Sequence, residues 1–130
     1  MIGGSTDTLI LADEVFRIQG AVFDVYRAKG AGFLEGVYQE CLEIELDFRG
    51  VPFTAQRPLA LEYRGRELRT RYAPDFICFE QIIVELKAVR EIAPEHRAQL
   101  INYLRATGLK LGLLVNFGSA NKAEIVRIAL

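Results

Sequence analysis

With 130 residues, 51% of them hydrophobic and 25% charged, the chain has the size and composition of one compact domain, residues 1–130, with a genuine core. The net charge of −1 does not mark a protein whose whole surface binds a polyanion, and no apolar run reaches membrane-spanning length. The opening MIGGSTDTLILADEV acquires Asp7, Asp13 and Glu14 too early for a secretory leader, so a cytoplasmic protein with no membrane association is expected.

Charge is unevenly divided. Residues 1–50 hold 4 Lys and Arg against 9 Asp and Glu, and residues 51–130 hold 12 against 8, so any nucleic-acid surface belongs to the second part. Cys41 and Cys78 match no metal-ligand or redox spacing and are read as buried free thiols.

From about Asp7 to Ala28, apolar residues at Leu9, Ile10, Val15, Ile18, Val22, Val25 and Tyr26 keep helical spacing, and Gly30 and Gly32 end that helix. A second helix is predicted from Leu34 to Arg49, with Leu34, Val37, Tyr38, Cys41, Leu42 and Phe48 as its apolar stripe and a stop at Gly50. Strands follow. LALEY alternates, RGRE reads as a turn, and LRTRYAPDFICF is a long extended stretch in which Pro74 predicts an edge, a bend or a bulge. Glu80-Gln81 turns the chain into IIVELKAV, the segment richest in β-branched residues. Pro94 suits the first turn of a helix that ends at Gly108. LGLLVNF is another buried strand, and AEIVRIAL closes the chain as a short strand or helix. The core order is α, β, β, β, α, β, an α/β domain with a mixed central sheet flanked by helices.

Charges stand out within this apolar stretch. Strand alternation puts Ile83, Glu85 and Lys87 on one face and Val84, Leu86 and Ala88 on the other. A Glu and a Lys two apart on a strand are most often a plain salt bridge. Here Asp75 lies ten positions before Glu85, and a hairpin turning at Glu80-Gln81 brings it near Leu86, beside Glu85 and Lys87. Two carboxylates that close repel unless a cation intervenes. A hard divalent ion bound by oxygens resolves the conflict, and Mg²⁺, with Mn²⁺ as a substitute, suits a site with few protein ligands. Lys87 can then stabilise developing negative charge or help deprotonate a metal-bound water, which is an apparatus for hydrolysing phosphodiesters.

Three short patterns carry a resemblance. Pro74-Asp75 followed by Glu85-Leu86-Lys87 resembles the PD-(D/E)xK nuclease superfamily, whose αβββαβ core is restriction-endonuclease-like. GFLEGVY, Gly32 to Tyr38, spells the GxxExxY signature of a family of small bacterial proteins assigned to that superfamily. QLINY, Gln99 to Tyr103, looks like the QxxxY element that follows the catalytic strand in several of its DNA-processing members.

The resemblance implies Mg²⁺-dependent hydrolysis of nucleic acid, DNA first among candidates, by a metal-activated water. It makes Asp75, Glu85, Glu35 and the backbone carbonyl of Leu86 metal ligands, Glu35 the helix-borne acid that orients water, and Lys87 the catalytic lysine. Gln99, Tyr103 and His96 share a helix face and are candidates to meet phosphates or bound water, with His96 also read as an exposed helix residue. Arg69 and Arg71 share strand parity with Asp75 and would meet a phosphate backbone if Pro74 introduces no bulge. A nuclease this small is expected to dimerise or to use a partner protein for DNA recognition. The competing reading is a non-catalytic interaction module that keeps the fold.

Overall fold

The computed structural model describes residues 9–130. Helix α1 runs Ala12–Lys29 and helix α2 Glu35–Phe48. Asp13 and Glu14 in the first turn of α1, and Arg27 and Lys29 in its last, complement the helix dipole. The buried stripe of α1 is Val15, Ile18, Ala21, Val22 and Val25. Leu9 and Ile10, expected in that stripe, precede the helix and stand exposed, and the expected start at Asp7 lies outside the described residues. In α2 the core takes Tyr38, Leu42 and Leu46, one row at i, i+4 spacing. Leu34 and Phe48, expected in the same stripe, are 81% and 84% exposed. Leu34 is the extended residue before the helix, and Phe48, two positions past Leu46, points to the opposite side.

The strands are β1 Phe53–Ala55, β2 Leu59–Tyr63, β3 Arg66–Tyr72, β4 Phe76–Cys78, β5 Ile82–Lys87, β6 Leu111–Asn116 and β7 Glu124–Ala129, with helix α3 at Pro94–Thr107 between β5 and β6. Five strands form the main sheet in the order β1-β4-β5-β6-β7, while β2 and β3 make a separate two-stranded hairpin. The β5–β6 pair is parallel and the other pairs are antiparallel, so the sheet is mixed as expected. Helices α1 and α2 cover one face, over Phe76, Val84, Leu86, Leu113 and Val115. On the other face Leu100 and Leu104 of α3 and Tyr72 of the hairpin pack with Ile77, Ile83 and Leu114.

The expected continuous strand from Leu68 to Phe79 is broken. Chain from Ala73 to Asp75 separates β3 from β4, which lie in different sheets, at a proline that cannot donate to a ladder. The first core strand is therefore β1, whose three residues carry too little alternation to be read from sequence, and LALEY belongs to the hairpin. The expected turn in RGRE is Arg64-Gly65, both with positive φ, as a two-residue hairpin turn requires. The β4–β5 ladder pairs Phe76 with Val84, Ile77 with Ile83 and Cys78 with Ile82, one position off the predicted register. Its turn centres on Phe79 and Glu80, with φ of 55° and 58°, not on Glu80-Gln81. Continued one step, the ladder sets Asp75 across from Glu85.

Candidate active site

Strand β5 divides its side chains as its alternation requires: Ile82, Val84 and Leu86 enter the core under α1 and α2, while Ile83 packs under α3. Glu85 and Lys87 follow Ile83 on the α3 side and line a cleft of about 290 Å³ with Glu35, Arg71, Tyr72, Asp75, Leu86, His96, Gln99 and Tyr103. Asp75 reaches this cleft because the chain leaves the hairpin at Ala73-Pro74 and rejoins the main sheet at Phe76.

Both carboxylates are held from several sides. The backbone N–H of Leu86 donates to Asp75 Oδ2 at 2.7 Å, and the Gln56 side-chain amide donates to Oδ1 at 2.9 Å. The Tyr72 hydroxyl donates to Glu85 Oε1, and the Asp75 backbone N–H approaches Glu85 Oε2 at 3.3 Å. The Glu85 carboxyl is pushed up to about 7, chiefly by burial; the Tyr72 bond pulls it down and the Asp75 charge pushes it up further. Burial and the adjacent Glu85 raise the Tyr72 hydroxyl far above the ordinary phenol value, so it stays a neutral donor.

Among the described residues the ion pairs are Arg27–Asp24, Arg49–Asp24, Arg49–Glu45 and Arg71–Glu67, and none involves Asp75, Glu85, Glu35 or Lys87. The plain Glu85–Lys87 salt bridge is therefore absent from them, and the two acids face each other without an arginine between.

Glu35, the first residue of α2, is exposed on the wall of the cleft. It also lines a second cleft of about 200 Å³ with Gln39, Gln56, Asp75 and Leu86. Among the described residues no three His, Cys, Asp or Glu side chains stand close enough to hold an ion together. The expected trio of acids is thus a close pair, Asp75 and Glu85, with Glu35 set apart.

Helix α3 presents His96, Gln99 and Tyr103 to the cleft, and His96 also closes off the start of its own helix, where its Nδ1 accepts the Ala93 N–H at 3.0 Å. Arg71 lines the cleft while bound to Glu67 at 2.6 Å. Arg69 is not among the lining residues. The break at Pro74 ends the strand parity with Asp75 from which both arginines were expected at the site, and of the two it is Arg71 that lines the cleft.

Tyr72, Gln56 and Asn116 carry no sequence signal that singles them out. Asn116, fully buried, accepts the N–H of Val89 at 3.0 Å and of Gly118 at 2.9 Å and donates to Glu124 at 3.3 Å. With the Phe117 N–H bonded to the Lys87 carbonyl at 2.8 Å, it fixes the chain where β5 ends. A Cβ at Gly118 would collide with the Val89 backbone. Of the cysteines, Cys78 is buried as expected, its thiol pushed up to about 12 by burial, and Cys41 is half-buried.

The donor set fits a hard divalent ion: two converging carboxylates with the Leu86 backbone beside them, in a cleft that neither cysteine lines. No helix among the described residues is long and apolar enough to cross a membrane.

No curated protein sequence matches the chain. Among solved structures, the crystal structure of SSO0001 matches with a TM-score of 0.57 at 19% identity, covering 72% of this chain. The match takes in 48% of SSO0001, so the chain corresponds to about half of that protein, and at this identity the likeness is one of fold. The family model of the PD-(D/E)XK nuclease superfamily matches residues 12–128, a span holding both acids, Lys87 and all three helices. The chain belongs to the PD-(D/E)XK nuclease superfamily.

Proposed function

We propose that the chain is a single nuclease-like domain of the GxxExxY type that hydrolyses phosphodiesters in nucleic acid, DNA first, with Mg²⁺ and with Mn²⁺ as a substitute. The observation that carries this reading is the convergence of Asp75 and Glu85, unpaired with any arginine among the described residues, beside Lys87 in one polar cleft. Asp75, Glu85 and the Leu86 carbonyl would hold the ion, and Glu35 on the cleft wall would orient water toward it. When bound, the ion polarises the scissile phosphate and makes water a stronger nucleophile at neutral pH. Lys87, without an ion-pair partner among the described residues, stabilises negative charge that grows on the phosphate. Gln99, Tyr103 and His96 address the phosphate backbone from α3, and Arg71 from the hairpin. A small chain of near-neutral charge calls for a second copy or a partner protein to supply recognition, and the reading places it in the cytoplasm.

The separation of Glu35 from the two close acids favours a second reading, a non-catalytic module that keeps the fold. One experiment decides between them: Mg²⁺ and Mn²⁺ titration by calorimetry, then cleavage of single- and double-stranded DNA and RNA. The nuclease reading expects Glu85→Gln to abolish ion uptake and cleavage, and Lys87→Ala to keep uptake while lowering cleavage at least about 100-fold. Uptake and cleavage unchanged in both variants would end it.

A further inference from the structure

A carboxylate can meet a cation through one oxygen or through both, and the choice bears on which ion it prefers. Mg²⁺ demands near-octahedral geometry, whereas the larger Ca²⁺ accepts more ligands and readily takes a carboxylate in bidentate fashion. At Glu85 one oxygen is already engaged, because Oε1 accepts the Tyr72 hydroxyl. The phenol is not free to swing aside. Tyr72 is only 6% exposed, and its ring lies flat on that of Tyr103, with centroids 3.4 Å apart and planes 2° from parallel. Tyr103 stands on α3, whose Leu100 and Leu104 are packed into the core beside Tyr72. Glu85 is the acceptor the described contacts give the hydroxyl. The other oxygen, Oε2, has only the long approach of the Asp75 backbone N–H at 3.3 Å.

We propose, on the metal reading given above, that Tyr72 is the positioning residue that sets ion selectivity. By occupying a lone pair of Oε1 and fixing the tilt of the carboxylate, it presents Glu85 to the ion through Oε2 and not through both oxygens symmetrically, which suits a small octahedral ion and handicaps Ca²⁺. Tyr103 acts through Tyr72, as the plate against which the phenol is braced. Neither ring need touch the ion.

The test is competition among Mn²⁺, Mg²⁺ and Ca²⁺ for the intact protein, read from the paramagnetic resonance signal of free Mn²⁺ and independent of cleavage. Tyr72→Phe keeps the ring and its stack and removes only the hydroxyl; a thermal melt confirms that it folds. The expected result is a fall of about tenfold in the preference for Mg²⁺ over Ca²⁺, the lower end of what loss of an outer hydrogen bond does to a metal site. Tyr103→Leu, which leaves the hydroxyl but removes its brace, shifts the ratio the same way by a smaller factor. A Tyr72→Phe ratio within twofold of wild type, in a protein whose Mn²⁺ uptake is still lost in Glu85→Gln, overturns the role of Tyr72 and leaves the metal reading standing. Mn²⁺ uptake that survives Glu85→Gln overturns both.

Discussion

On the proposed metal reading, Glu85 carries opposite demands when no ion is bound. Burial and Asp75 favour its neutral form, yet ion binding needs the carboxylate. Its folded value of about 7 lies above the ordinary 4.5, so the folded state holds more protons than the unfolded state between those limits. The stability this contributes is fully present below about 4.5 and is lost as pH rises through about 7. Glu85→Gln removes the loss. In chelator, urea titrations between pH 5 and 8 are expected to show wild type weakening with pH while the variant stays flat, the variant ending more stable by on the order of 2 kcal/mol at pH 8. Saturating Mg²⁺ should restore wild type alone. That Glu85 and Lys87 share a face was legible, because alternation belongs to the backbone of any strand and IIVELK is long enough to display it. Tyr72 was not, since its distance from Asp75 is counted across Ala73-Pro74, where the chain changes sheets and parity ceases to apply.

Among the elements, the β4–β5 hairpin is the one that makes the site, and its turn is under strain. Phe79 and Glu80 both adopt left-handed φ, which costs a residue with a Cβ about 1–2 kcal/mol. Phe79 has compensation, for Arg17 lies over its ring and its N–H reaches the Pro52 carbonyl. Glu80 is exposed and has no such hold in the described contacts. Glu80→Gly is therefore expected to stabilise the protein by about 1 kcal/mol, measured by chemical denaturation, with ion affinity unchanged. Helices α2 and α3 were legible to within a residue at each end, α3 because its ends are chemically marked by Pro94 and by Gly108 with φ of 77°, whereas α1, with no capping side chain at Leu11, begins five residues after its expected start. The hairpin register was missed by one position, since the rule that glycine or asparagine occupies left-handed positions gives no warning when Phe and Glu do so. β1 escaped notice because its strand identity comes from pairing with β4, a tertiary fact.

For the molecule as a whole, the uneven charge along the chain becomes a division in space. The acidic first part supplies α1 and α2 on one face of the sheet, and the basic second part supplies the hairpin and α3, which wall the cleft together with Glu35 at the start of α2. Composition could show the imbalance but not that it separates the two faces. The cleft also draws on chain segments of very different separation. Glu35 arrives from forty residues before Asp75, and β6 pairs with β5 only after α3 has crossed over, whereas Asp75 and Glu85 meet across one tight hairpin. Closure of so short a loop comes early when a chain folds, and here it brings like charges together before most of the core exists. The repulsion should therefore burden the climb to the transition state more than the descent from the native state. In stopped-flow chevrons, Glu85→Gln at pH 8 is expected to accelerate refolding and leave the unfolding limb nearly unmoved, so that the paired acids, with no cation between them, act as a brake on the birth of the fold.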